Sequence, residues 1–155
     1  MKDYYHIQEK DYLPVIEECF ITDPDLLVKF HIEAPANLKV CVNRTYADLK
    51  KCDSLVFYTI NCVTDDTDEI AGFFGTEEIG GLMFMTSFFV KPKFRNQDFF
   101  DYFWSAIESS TGEDFFTSIY ALNVRARKFL EKNNFSLIKE MEVNGNDKAL
   151  IYQSN

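Results

Sequence analysis

Leu82-Met83-Phe84-Met85-Thr86-Ser87-Phe88-Phe89-Val90 runs directly into Lys91-Pro92-Lys93-Phe94-Arg95, and the reading of this stretch decides the architecture. Leu82 to Val90 is nearly all apolar and follows Gly80-Gly81, which suits a strand covered on both faces at the centre of a sheet. Pro92 cannot donate to a ladder and ends it. Downstream, Asp98 to Ser109 reads as a helix with aromatics nearly all round, Thr117 to Leu122 as another strand, and Asn123 to Asn133 as a further helix. Phe135 to Val143 and Lys148 to Gln153 then close a hairpin around Asn144-Gly145-Asn146-Asp147, whose Asn-Gly pair favours a tight turn.

Upstream, Tyr4 to Gln8 reads as a short strand. Asp11 opens a helix to about Phe20, with Leu13, Ile16 and Phe20 on one face, and Thr22-Asp23-Pro24-Asp25 breaks it. Leu26 to Val42 follows neither period. A short helix from Asn43 to Lys51, capped by Asn43, precedes a hairpin of Ser54 to Val63 and Ile70 to Thr76 around Thr64-Asp65-Asp66-Thr67-Asp68. The order is β α (α) β β β α β α β β, with no internal repeat or linker.

Composition narrows the function classes. The chain has 155 residues, 46% apolar and 26% charged, which describes one ordinary domain. It contains no apolar run long enough to span a membrane and no signal-peptide order at its start. A formal charge of −9 disfavours nucleic acid as the main ligand. Cys19, Cys41, Cys52 and Cys62 form no closely spaced pair, and His6 and His31 suggest neither triad nor metal, so reduced thiols in an intracellular protein are expected and no metal. Aromatic residues make up 16% of the chain, enough for a large core with rings left for an interface.

The element order, with two local patterns, resembles the GNAT superfamily of acyl-CoA-dependent N-acyltransferases over essentially the whole chain. Val90-Lys91-Pro92-Lys93-Phe94-Arg95 is similar to the family's strand and pyrophosphate-binding loop. Asn123, Ala126, Phe129 and then Phe135 are similar in spacing to its Asn-x-x-Ala segment and terminal Gly-Phe, and Ile70-Ala71-Gly72 ends a hairpin upstream as expected. The resemblance implies an α+β fold in a single domain, residues 1–155, with a mixed, mostly antiparallel central sheet flanked by helices. It also implies cofactor contacts from Val90, Arg95 and Asn123.

Several positions depart from the family pattern. A pyrophosphate is held by backbone N–H groups at a helix N-terminus, approached closely and without competing negative charge. The family's two small loop positions are Asp98 and Phe100 here; Asp98 reads as a helix cap that uses the same N–H groups. Arg95 either binds the pyrophosphate or pairs locally with Asp98 and Asp101, and the charges favour the local pair. The family's thiolate-protonating Tyr is Leu130, and Asn134 replaces a Gly, a mild change because Asn tolerates left-handed backbone. The central strand offers no carboxylate as base; Glu77 or Glu78 could serve, or be solvated edge charges, and no residue is assigned as catalytic.

In the Asp98 helix, Phe100, Phe103, Trp104 and Ile107 form the stripe expected against a sheet, while Phe99 and Tyr102 lie on a neighbouring face with Ala106. Burial on more than one side comes from the domain itself or from a protein partner, which makes Phe99 and Tyr102 the candidate interaction residues. Two functions are compatible with these residues. The first is a pseudoenzyme: a GNAT-fold protein with an eroded acyl-CoA site and no cofactor, serving as a binding or structural subunit of an oligomeric assembly. It resembles accessory proteins of tailed phages, some built into the virion. The alternative is an active acetyl-CoA-dependent N-acetyltransferase acting on a primary amine. Both place the protein inside a cell, the first also in a virus particle, with no nucleic-acid, membrane or metal partner.

Overall fold

The computed structural model describes residues 2–23, 38–112, 114–121, 123–144 and 147–154. Its strands are β1 (Lys2–His6), β2 (Val56–Val63), β3 (Asp68–Ile79), β4 (Leu82–Val90), β5 (Phe116–Tyr120), β6 (Ser136–Asn144) and β7 (Asp147–Gln153). The helices among the described residues are α1 (Tyr12–Phe20), α2 (Leu38–Lys50), α3 (Gln97–Thr111) and α4 (Val124–Lys132). The strands form one seven-stranded sheet in the order β1-β2-β3-β4-β5-β7-β6, so β4 lies at its centre as its apolar run predicts. Only β4 and β5 pair in parallel, and every other neighbour is antiparallel. This is the mixed, mostly antiparallel sheet flanked by helices that the resemblance implies.

Alternation along the strands supplies two cores. Phe73 and Phe74 are adjacent and both fully buried, yet they serve opposite faces of the sheet. Phe73, with Phe57 and Phe89, packs under α1 and α2 against Ile16, Cys19, Phe20 and Leu49. Phe74, with Ile60, Met85 and Tyr152, packs under α3 and α4 against Phe99, Phe103, Ile107 and Leu130. The high aromatic content therefore fills a three-layer sandwich of helices, sheet and helices. None of the helices among the described residues is long and apolar enough to cross a membrane, and no cluster of metal-ligating side chains forms there.

Two irregularities break the ladders of the central strands. Ile60 pairs with Gly72 and Asn61 with Ile70, which leaves Ala71 as an extra residue in β3; Gly72 then lies so close to β4 that a Cβ there would stand 2.3 Å from the Phe89 carbonyl oxygen. Backbone cannot give way as a flexible side chain can, so Gly72→Ala is expected to destabilise the fold by about 1–3 kcal/mol in a denaturant titration. On β4, Met85 pairs with Thr76 and Ser87 with Gly75, so Thr86 is the extra residue of a bulge and drops out of the ladder.

Several element ends differ from the sequence reading. Helix α2 begins at Leu38 rather than at Asn43, so Asn43 is an exposed residue inside the helix and not its cap. Much of the unclassified Leu26–Val42 segment lies outside the described residues. Asn134 has φ 66°, the left-handed backbone that Gly supplies in the resembling family, and the Phe135 N–H returns to the Leu130 carbonyl at 2.9 Å to close α4.

Candidate functional site

Parallel strands β4 and β5 pair at only two positions, Phe84 with Phe116 and Met85 with Thr117. Thr117 Oγ1 donates to the Met85 carbonyl at 2.9 Å and pins this vertex. Beyond it the register stops, and a cleft of about 390 Å³ opens between Thr86–Val90 on one wall and Thr117–Tyr120 on the other. The bulge puts Thr86 at the vertex, where its Oγ1 is buried with no hydrogen-bond partner among the described residues. A buried hydroxyl without a partner costs free energy that a bound acceptor or donor would recover.

The cleft passes through the sheet. On the α3/α4 side it is walled by Phe100, Ala126 and Phe129 and flanked by Arg95, Asn123 and Arg125; on the α1/α2 side it meets Phe20, Thr45, Asp48, Leu49 and Cys52. Two separate molecules can therefore approach one central point from opposite faces. The predicted cofactor residues Val90, Arg95 and Asn123 all lie along this cleft, although they come from the end of β4, the following loop and the start of α4. Asn123 spends its side-chain oxygen on the Ala126 N–H at 3.2 Å, which caps α4.

The loop after β4 is bonded mostly to itself. Phe94, Arg95 and Asn96 donate their N–H groups to the carbonyls of Lys91, Pro92 and Phe94 at 2.9, 3.2 and 2.9 Å. The Asn96 side chain accepts from the Phe99 N–H at 2.9 Å, so Asn96 is the cap of α3. This corrects the expected Asp98 cap: the helix starts at Gln97, and Asp98 is an exposed residue of its first turn. The expected pairing of Arg95 with Asp98 and Asp101 is corrected too. Arg95 donates from Nε to the Val90 carbonyl at 2.9 Å and pairs with Asp23 Oδ2 at 2.7 Å. Helix α1 packs against the loop, so acids from its far end reach these cations, and Lys91 likewise meets Glu18 at 3.1 Å.

Phe99 is a core residue, 1% exposed, which removes it from any surface. The turn of α3 sets Phe99, Phe103, Ala106 and Ile107 against the sheet, while Phe100 and Trp104 face α4 and meet Phe129 with ring centroids 4.7 and 5.4 Å away. The second apolar face of α3 is thus covered by α4 within the same domain. Tyr102 is half-buried, and burial with nearby Asp3 and Tyr4 of β1 raises its pKa above the usual tyrosine value.

Leu130 is fully buried in the α3/α4 core, and Phe129 takes the cleft wall beside Ala126. A Tyr at 130 would be an overpacked core ring. Leu130→Tyr is expected to cost about 1–3 kcal/mol of stability by thermal unfolding and to give no gain in acyl transfer. The hydroxyl-bearing residues at the cleft are instead Thr45, Thr86, Ser87, Thr117, Ser118 and Tyr120, none of which the loop and helix motifs single out. The period-two pattern of β5 is the signal for the last two: Ser118 and Tyr120 are exposed, while Thr117 and Ile119 are buried. Of the two candidate base carboxylates, Glu78 is an exposed edge charge whose N–H and carbonyl are both tied to Ser54 Oγ. Glu77 is half-buried and stands beside Cys52, whose thiol is pushed up to about 11 by burial first and then by the Glu77 carboxylate.

No protein-family model matches the chain, and no curated protein sequence does. Solved structures do. A GNAT-family acetyltransferase from Bacillus cereus is 17% identical, covers 100% of this chain and 97% of its own, and superposes with a TM-score of 0.60. An acetyltransferase from Thermus thermophilus is 14% identical over 99% of this chain and 96% of its own, with a TM-score of 0.69. An acetyltransferase from Salmonella typhimurium that modifies the N-terminal serine of ribosomal protein L7/L12 is 14% identical over 98% and 93%, with a TM-score of 0.66. At such identities the likeness establishes the fold: this chain has the fold of the GNAT acetyltransferases.

Proposed function

We propose that the protein is an acyl-CoA-dependent N-acyltransferase acting on a primary amine, with the β4/β5 cleft as its acyl-CoA site. The observation that carries this reading is the vertex itself. A bulge at Thr86 leaves this residue outside the ladder with its buried hydroxyl unpartnered among the described residues, and Thr86 lines a cleft reachable from two faces of the sheet. Its walls are mostly apolar with a few placed polar groups, the usual make-up of a ligand site. The acetyltransferase neighbours support the reading, and the one that modifies a protein N-terminus suggests the acceptor class, an exposed primary amine.

The residues present fit an acyl-CoA. Asn123 and Arg95 flank the α3/α4 opening, Phe100 and Phe129 line the channel, and Thr86 stands at its end. Acyl-CoA, when bound, supplies an acyl group activated as a thioester. On the α1/α2 side, Asp48 lines the cleft and offers negative charge to an incoming ammonium, and Glu77, half-buried behind the cleft residue Cys52, is the carboxylate assigned to take its proton. Cys52 stays a neutral thiol near pH 7, because its pKa is raised to about 11, and so is no nucleophile.

A second reading draws on the loop. Its N–H groups are largely spent, Phe100 occupies a position where the family keeps a small residue, and no Tyr stands at 130. In that reading the fold persists as a binding or structural subunit of a larger assembly, a virus particle included, and acyl-CoA is not a ligand. Isothermal titration calorimetry of the full chain against acetyl-CoA separates the two. The enzymatic reading expects a dissociation constant in the micromolar range, about −8 kcal/mol. Absence of heat up to about 1 mM, where binding is worth only about 4 kcal/mol, would favour the subunit.

A further inference from the structure

Helices α1 and α2 cover only part of the sheet face they pack on. Phe57, Phe73 and Phe89 lie under them, but Phe84 on β4 and Phe116 on β5 are half-buried and belong to neither core among the described residues. Their ring centroids are 5.5 Å apart. Met85 follows Phe84 into the α3/α4 core, and Tyr152 of that core pairs with Thr117, so by alternation Phe84 and Phe116 point to the α1/α2 side. Phe84 stands directly opposite Glu77 on β3. Two residues further along the same face, Ile79 and Leu82 pair at the β3/β4 turn, each 49% exposed. In the other direction β5 carries the face on through Ser118 into the cleft. The Thr86 hydroxyl opens to this side as well: a Cβ on Gly75 would lie 2.9 Å from Thr86 Oγ1 and 3.0 Å from Leu55, which packs against the α1/α2 core. An apolar strip therefore runs from the cleft vertex at Thr86 to Leu82 at the turn, a span of about 13 Å at strand rise, with Glu77 beside it.

We propose that this strip binds the apolar first residues of a polypeptide whose α-amino group enters the cleft beside Glu77, with Phe84, Phe116 and Leu82 setting the sequence preference. The reacting amine rests on the acyltransferase reading above; the strip rests on the packing. Length favours a chain over a small amine. An extended residue spans about 3.3–3.6 Å, so roughly four residues cover the strip, whereas a small amine reaches only the rings beside the vertex. Charge sets the class of the end that enters. Among the described residues lining the α1/α2 opening, Asp48 is the charged one, and Asp48, Asp53 and Glu77 all act on the Cys52 thiol there. Such an opening accepts an ammonium and opposes a carboxylate, which disfavours free amino acids and acidic N-termini. Apolar side chains laid on the strip leave water together with it.

Acetyl transfer by the full chain to two pentapeptide amides, Met-Leu-Phe-Ala-Gly and Gly-Ser-Asn-Ala-Gly, tests the assignment. The apolar peptide should have a kcat/KM roughly tenfold to a hundredfold higher, with the difference carried by KM, as burial of one or two apolar side chains gives. Phenethylamine, a small apolar amine, should be a poorer substrate than the apolar peptide. In Leu82→Ser and in Phe116→Ser the ratio between the two peptides should fall several-fold. That ratio compares two substrates on one preparation, so a loss of folded protein does not move it. If neither peptide nor phenethylamine is acetylated, the acyltransferase reading fails and calorimetry of the apolar peptide alone decides the strip. Binding weakened by Leu82→Ser then supports it, and no binding, or binding unaltered by Leu82→Ser, overturns it. Where transfer occurs, equal kcat/KM for the two peptides, a ratio unchanged in both variants, or phenethylamine outperforming the apolar peptide would overturn the proposal.

Discussion

Phe99→Ser is expected to remove about 3–5 kcal/mol of stability, a fall in melting temperature on the order of 10 °C for a chain of this size. The ring is 1% exposed and lies among Phe94, Phe100 and Phe103 at centroid distances of 5.9, 6.3 and 6.5 Å. Serine would remove the buried ring and leave a cavity among these aromatics, the source of the penalty. Against a typical total of about 5–15 kcal/mol, that loss is severe. Tyr102→Ser, at a half-buried site near β1, should cost about 1 kcal/mol. Thermal unfolding followed by circular dichroism reads both. A Phe99→Ser protein that melts within a few degrees of wild type would return this ring to the surface and reopen the case for a partner on α3.

The packing of α3 shows why the sequence carries the fold further than the site. Apolar period fixes which elements exist and which faces are buried, so β4 at the sheet centre and the closing β6/β7 hairpin are legible from Leu82–Val90 and Asn144–Asp147. It does not say which neighbour covers a given face. Both apolar faces of α3 are real, but the sheet takes Phe99 and Phe103 while α4 takes Phe100 and Trp104, and only the packing angle between helices decides that division. Capping shows the same limit at shorter range. Asn96 and Asp98 are both good cap residues, and the tight turn Pro92–Phe94 brings the chain round at Asn96.

The site residues legible in the sequence are those that belong to a local motif, Val90, Arg95 and Asn123, and they do lie along one cleft. The missing ones have no local signature. Thr86 matters because β4 gains a residue relative to β3, a register event that neither strand announces on its own. Asp23 matters because α1 folds against the loop after β4, so the carboxylates nearest in sequence, Asp98 and Asp101, lose Arg95 to one that is nearest in space. That Arg95 pairs with an acid is legible in the sequence, but its partner is not, since sequence proximity is a poor guide once a loop is clasped by another layer.

Glu77→Gln is the substitution with the largest expected effect on acyl transfer, a drop in kcat/KM of about 10²–10⁴-fold with acetyl-CoA affinity unchanged. On the proposed N-acyltransferase reading, an amine reaches the cleft protonated at neutral pH and must lose that proton before it can attack. The carboxylates on the α1/α2 side are Asp48, exposed and 3.9 Å from Lys51, and Glu77, half-buried behind Cys52. Position favours Glu77 as the base: it lies beside Cys52, which lines the cleft, whereas Asp48 is exposed and held toward Lys51. Asp48→Asn should act mainly on KM for the amine, because its charge lies at the rim where the acceptor enters. Glu78→Gln should do nothing, since that side chain points away into solvent on an alternating strand. The wild-type rate should rise with pH as more of the amine arrives unprotonated, and Glu77→Gln should keep that rise at a lower overall rate. Cys52→Ala provides the control: the thiol, with a pKa of about 11, is protonated throughout the working range, and its loss should leave the pH profile in place. Full activity in Glu77→Gln combined with its loss in Asp48→Asn would move the proton transfer to the rim and make Glu77 a structural neighbour of Cys52 alone.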